Sequence, residues 1–246
     1  MALLTANDVI RIWEAGYRQD PGERAITILS IAYATENPDT LRNLSLGRRN
    51  MLLLGIRERL FGVDLNAYAE CPACRQSLEF TITSTQLFAA VVSDQDPAVE
   101  FDLETAGYSL RFRLLNTNDI HVARTAGVVE SARRALVRRC IVEARRNGSN
   151  VNSDDLPESV ITLLAEQVSA RDVLAEIVTT LSCPGCKFQW EAALDIASFC
   201  YSEIAALARR LLREVHMLAR AYAWREADIL GMTARRREYY LEMIDQ

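Results

Sequence analysis

Lysine is all but missing from this chain: of its 28 basic residues, only Lys187 is not arginine. Histidine is nearly as scarce, represented by His121 and His216 alone. Neither has a ligand-type partner one helical turn away, so both read as structural or surface residues rather than catalytic ones. Three further motifs are lacking: a Gly-x-Ser-x-Gly elbow, a phosphate-cradling glycine loop and a dinucleotide fingerprint. Carboxylate pairs such as Asp154-Asp155 and Asp94/Asp96 fall in loop-like segments, where solvated acids are the default. These absences predict that the protein is not an enzyme. Long apolar runs are also lacking, and Asp8 and Arg11 interrupt the N-terminal segment before a secretory core could form. The expectation is a cytoplasmic protein whose thiols stay reduced.

The 246 residues can bury a sizeable core as one large domain or two modest ones. Half are hydrophobic and a quarter charged, an ordinary globular balance. The formal net charge of −5 disfavours a simple polyanion-binding protein. The arginine bias suits fixed ion pairs and protein interfaces, because the planar guanidinium presents a rigid fork of donors.

Six cysteines are present, and four form two similar hooks, Cys71-Pro-Ala-Cys74 and Cys183-Pro-Gly-Cys186. Each is preceded by an extended segment and followed by a basic residue (Arg75, Lys187). Alternating stretches come next: Leu78, Phe80 and Ile82 after the first hook, Phe188, Trp190 and Ala192 after the second. Two thiolate pairs converging on one ion make a closed tetrahedral set, which suits a structural Zn2+ and cannot activate water or polarise a substrate. Cys71, Cys74, Cys183 and Cys186 are therefore the candidate metal ligands. Redox thiols and disulfides are the alternatives; the first needs one hook at a strand-to-helix turn, the second an oxidising compartment. The separation of the hooks implies a large insertion in the ribbon. Cys140 and Cys200 sit on apolar helical stripes and read as packed small hydrophobes.

Thr5 with Asp8 opens a helix carrying Val9, Ile12, Trp13 and Tyr17, and Pro21-Gly22 is expected to end it. A second helix carries Ile26, Leu29, Ile31 and Tyr33 up to Asn37-Pro38, and a third covers residues 46–60 with Phe61-Gly62 closing it. Residues 99–103 and 108–114 alternate as a hairpin around 104–107. Asn116-Thr117-Asn118 then offers caps to one long helix ending near Asn147-Gly148. Arg133, Arg134, Arg138, Arg139, Arg145 and Arg146 crowd the side of that helix opposite its apolar stripe. Another helix covers 160–170, and 174–181 reads as a strand delivering the second hook. Ile204, Leu207, Leu211, Val215, Leu218 and Tyr222 mark a long amphipathic helix, Trp224 a break, 226–230 a short helical turn, and Thr233 the cap of a last helix.

The fold class expected is α+β, mainly helical, with a split four-cysteine zinc ribbon carrying a hairpin-plus-helices insertion. The expected regions are helical residues 1–68, a ribbon region 69–200 with its insertion at about 91–173, and helical residues 201–246. A zinc-ribbon nucleic-acid-binding regulator is the alternative function, resting on the arginine-rich helix. No aromatic residues interleave with those arginines to stack bases.

The run Leu52-Leu53-Leu54-Gly55-Ile56-Arg57-Glu58-Arg59-Leu60-Phe61-Gly62, leading into Cys71-Pro-x-Cys74 and Leu78-Glu79-Phe80, resembles part of a baseplate protein family of contractile phage tails and phage-derived contractile injection systems. So do Cys183-Pro-Gly-Cys186 with Trp190-Glu191 and the segment 195–199. The tail adds the segment 208–222 and Trp224-x-Glu226, followed by Arg235-Arg236-Arg237-x-Tyr239-Tyr240-Leu241. Ala223 departs from the pattern, which implies glycine between Tyr222 and Trp224. The resemblance covers most of the chain from residue 45 onward. It implies a structural component or assembly factor of the baseplate that meets hub, spike and wedge proteins, with no small-molecule substrate and no membrane insertion.

Overall fold

Thr5 and Asp8 cap each other's backbone at the start of α1 (Ala6–Gly16), a complete capping box. Pro21 does not end that helix but opens the next, α2 (Pro21–Ala32). Asp20 caps α2 and the proline stands in the first turn, where its missing N–H costs nothing. A short helix that the periodicity did not reveal, α3 (Pro38–Asn43), precedes α4 (Leu46–Phe61), which Ser45 caps and Gly62 closes at φ +89°. The computed structural model describes residues 3–89, 100–124 and 129–244, with side chains at 121–133 left out. The expectations placed on Asp94, Asp96, Val99 and the side chains of His121 and Arg133 lie outside the described residues.

Beyond α4 come β1 (Asp64–Glu70), β2 (Ser77–Thr83) and a one-and-a-half-turn helix, α5 (Ser84–Ala89). The expected hairpin follows as β3 (Phe101–Thr105) and β4 (Tyr108–Phe112), turning on Ala106 and Gly107 at φ +47° and +78°. The long helix expected up to residue 147 is corrected. Its described parts are α6 (Thr117–Arg124) and α7 (Val129–Cys140), and helix gives way after Cys140 to strand β5 (Ile141–Arg146). Asn147-Gly148, at φ +48° and +84°, is a hairpin turn into β6 (Ser149–Asn150) rather than a helix stop. The β-branched pair Ile141-Val142 favours strand, and pairing with β4 satisfies it.

α8 (Glu158–Arg171) and a single 3-10 turn at Val173–Ala175 lead to β7 (Ile177–Ser182) and β8 (Gln189–Leu194). The second strand-like stretch thus starts three residues later than its pattern suggested. The long α9 (Ile196–Tyr222), α10 (Glu226–Leu230) and α11 (Ala234–Ile244) complete a mixed α/β chain in which helix predominates. No helix among the described residues is long and apolar enough to cross a membrane.

Two compact units result, one formed by Met1–Asn37 with Ile196–Gln246, the other by Pro38–Asp195. In the first, α1, α2, α10 and α11 pack on α9. Ile12, Leu29, Ile204, Ala208 and Leu218 are fully buried there. Gly16 presses on the ring of Tyr201, whose hydroxyl donates to the Trp13 carbonyl at 2.9 Å while the Arg24 guanidinium covers its face. The second unit holds the antiparallel sheet β3-β4-β5-β6 and two separate hairpins, β1-β2 and β7-β8. One side of that sheet and helices α7 and α8 share an apolar cluster that includes Leu110, Phe112, Cys140, Val160 and Leu164.

Candidate metal centre

One helix holds the bases of both isolated hairpins. At the C-terminal end of α4, Arg57 donates to the carbonyls of Gly62 and Asp64, where β1 begins, and Glu58 accepts from the Ser84 hydroxyl at 2.7 Å, just after β2. At its N-terminal end, Gly47 N–H and the Ser45 hydroxyl donate to the Asp172 carboxylate, and Asn50 donates to the Leu174 carbonyl at 2.8 Å. Those last contacts fix the chain just before β7. Each hairpin then runs in unbroken register, Asp64↔Thr83 to Glu70↔Ser77 and Ile177↔Leu194 to Ser182↔Gln189, and its turn carries one cysteine hook.

The two hooks repeat each other bond for bond. Cys71 N–H donates to the Gln76 carbonyl at 2.9 Å and Arg75 N–H donates to the Cys71 carbonyl at 2.8 Å. Cys183 N–H donates to the Phe188 carbonyl at 2.9 Å and Lys187 N–H to the Cys183 carbonyl at 3.0 Å. Arg75 and Lys187 both adopt left-handed backbone, at φ +61° and +62°. This curl turns the sulfurs of each hook inward, and proline after the first cysteine limits its freedom.

The sulfurs of Cys71, Cys74, Cys183 and Cys186 lie within 4.8 Å of one another and could hold a metal ion. Between the hooks, the Cys71 and Cys186 sulfurs and the Cys74 and Cys183 sulfurs are each 3.6 Å apart. A disulfide needs about 2.05 Å between sulfurs, and none of the six cysteines is in one. Four sulfurs bound to one zinc at about 2.3 Å stand about 3.8 Å apart, so the observed spacing fits such an ion. Cys71 and Cys183 are buried, whereas Cys74 and Cys186 are exposed. The Gln76 side chain reaches across the pair: a Cβ on Gly185 would sit 2.1 Å from its Oε1, and that oxygen lies 3.6 Å from the Cys183 sulfur. Nothing in the residue pattern singled out Gln76, because its role depends on the second hook arriving from residue 183.

The crowded sulfurs do not hold protons equally. Gln76 N–H favours the Cys74 thiolate, yet the neighbouring sulfurs outweigh it and push the thiol up to about 12. Backbone N–H groups of Cys186 and Gly185, together with the Cys74 and Cys186 side chains, overcome desolvation and hold Cys183 down to about 7. A metal-ligating cysteine must be a thiolate, so a cation bound here would displace the protons that these thiols hold.

The remaining cysteines, Cys140 and Cys200, are not part of the four-sulfur cluster. Cys140 is enclosed in the sheet–helix cluster, and burial pushes its thiol up to about 12. Cys200 is buried on α9 beside Ile204. The arginines expected on one helical face are divided between α7 and β5, and the described ones point at acids or an aromatic ring. Arg134 pairs with Glu158, Arg138 with Asp154, Arg139 with Asp119 and Arg145 with Glu143, while Arg146 lies over the Tyr108 ring. Each thus has a partner within the unit, although Arg138 Nε is buried without a hydrogen bond.

A family model described as T4 bacteriophage base plate protein matches residues 3–199, which include α4 and both hooks. No curated protein and no solved structure matches the chain. The match covers well over half of the sequence, and the chain belongs to the T4 bacteriophage base plate protein family.

Proposed function

We propose that the protein is a non-enzymatic structural component or assembly factor of the baseplate of a contractile, phage tail-like injection system, folded around one structural Zn2+. The proposed ligands are Cys71, Cys74, Cys183 and Cys186. The observation that carries this reading is the convergence of four free sulfurs, from hairpins 109 residues apart at Cys74 and Cys183, within a base plate family chain. Four thiolates fill the coordination sphere of zinc, so the ion fixes architecture and takes no substrate. Baseplate proteins of the hub, spike and wedges are the expected neighbours, met in the cytoplasm where the particle assembles. The pairing of the α7 and β5 arginines with the chain's own carboxylates favours this reading over nucleic-acid binding.

The test is deletion of the gene in a producing strain, followed by electron microscopy of the particles. Loss of sheathed, contraction-competent particles, restored by the wild-type gene, is the expected result. Normal particles in its absence would overturn the structural role. Metal analysis of the purified chain addresses the ion separately, with one zinc per chain expected.

A further inference from the structure

We propose that one exposed face of α9 is a docking surface for an acidic helix of a partner protein. Arg209, Arg213, His216 and Arg220 recur at steps of four, three and four residues and are all exposed, so they form one stripe along the helix. From Arg209 to Arg220 the stripe runs about 16 Å at 1.5 Å per residue. The opposite face of α9 is the one buried against the helices of its own unit, through Ile204, Ala208, Leu211, Val215 and Leu218. The stripe itself is uncovered.

On α9 itself, arginine pairing differs between this face and the position beside it. Arg210, one position away, pairs with Glu214, which also receives the buried Arg237 at 2.9 Å. Among the described residues, none of Arg209, Arg213 and Arg220 forms an ion pair with a carboxylate. Three unmatched guanidinium forks at helical spacing are complementary to carboxylates at the same spacing on another helix.

Charge and composition favour protein over nucleic acid as the occupant. Met217, on the same exposed side, is 43% accessible, and arginine and methionine are enriched at protein interfaces. No aromatic residue accompanies the stripe to stack a base, and the chain's net charge of −5 opposes approach of a long polyanion. The stripe lies beyond residue 199, where the family match ends, so it adds a contact that the match does not describe.

The inference takes its setting from the baseplate role, and one experiment in producing cells separates the two. Met217 is replaced by the photo-crosslinking residue p-benzoylphenylalanine in the full chain, and particles are isolated, irradiated and analysed by mass spectrometry. A cross-link to an acidic helical segment of a different protein is expected. Arg213→Glu/Arg220→Glu should lower both that cross-link and particle yield about tenfold or more, while the purified variant melts within a few degrees of wild type. Arg213→Gln/Arg220→Gln should give an intermediate loss, separating charge recognition from damage to the helix. Cross-links to nucleic acid or a second copy of this chain would overturn the proposal, as would particles forming without any cross-link at Met217. If particles form normally when the gene is deleted, the baseplate reading itself is what fails.

Discussion

Asp119 has no exposed side-chain surface and still carries a charge, because its partners are arranged before it ionises. Arg113 meets both carboxylate oxygens at 2.6 and 3.0 Å, Arg139 donates at 2.8 Å, and Asn116 N–H donates at 3.0 Å. Burial alone would raise its pKa; these donors outweigh it and hold the carboxyl below the usual carboxylate range. A pKa lower in the folded than in the unfolded state means that stability is fully present above about 3.9, the unfolded value. It is lost as pH falls through the folded value. Asp172 has the opposite sign: burial raises its pKa despite Gly47 N–H and Ser45, so its contribution is greatest at low pH and fades as pH rises through its folded value. Asp119→Asn is expected to cost about 3 kcal/mol at neutral pH, the penalty for stranding partly buried arginines. It should also flatten the acid limb of stability measured by urea unfolding from pH 7 to 3. An unchanged acid limb would show that Asp119 is not the group responsible. Ala223 poses a simpler backbone question. It closes α9 at φ +56° with its N–H bonded to the Ala219 carbonyl, the position where glycine avoids a steric penalty. Ala223→Gly is expected to raise stability by about 0.5 kcal/mol, because relief of left-handed strain exceeds the entropy glycine adds to the unfolded chain. A melting temperature that falls would refute the strain.

At the scale of elements, α4 acts as a beam joining two hairpins that are remote in sequence. Arg57 is nearly fully buried and supplies the base of the first hairpin through two carbonyls. Arg57→Ala is expected to cost about 3 kcal/mol, counting two lost charge-assisted bonds and the packing of a nearly buried side chain. Hydrogen exchange should locate the loosening in β1 and β2, with the β3-β4-β5 ladder unaffected. At the other end, a Cβ on Gly47 would stand 2.1 Å from Asp172 Oδ1, so Gly47→Ala must displace the carboxylate that ties Val173–Ala175 to α4. The residues that make this beam were readable as a helix, and Ser45, Gly62 and the apolar run between them bound it well. Its partners were not readable, because Asp172 and Leu174 are more than 120 positions away. The same limit explains β5. Leu136, Val137, Cys140, Ile141 and Ala144 fit a helical stripe, and Asn147-Gly148 serves equally as helix stop or hairpin turn. Only pairing with β4 decides between them. The two hooks were legible because their chemistry is local to each. Their meeting is a property of α4 and the hairpins.

At the scale of the molecule, the four sulfurs meet at the two ends of a long insertion that has its own apolar cluster. Cys74 and Cys183 are 109 residues apart, and the cluster of Leu110, Phe112, Val160 and Leu164 lies between them in sequence. A cross-link spanning a loop of this length restricts the unfolded chain by an amount worth about 4–5 kcal/mol on the chain-entropy account. Bound zinc would stabilise the folded chain through this closure and through the thiolate–metal bonds themselves. The hydrophobic cluster is built from residues of the insertion itself. Removal of the metal with a strong chelator is therefore expected to lower the melting temperature while most far-ultraviolet circular dichroism survives at 25 °C. Limited proteolysis of the stripped protein should cut first at the hooks, around residues 71–76 and 183–188, whose exposed Cys74 and Cys186 would then have no common ligand. Cys74→Ser should reproduce that cleavage pattern and bind less than one zinc per chain. A stripped protein as stable and protease-resistant as the zinc-loaded one would mean that the hairpin bases on α4 hold the hooks together without an ion. Global unfolding on chelation would mean instead that the insertion's cluster cannot stand alone.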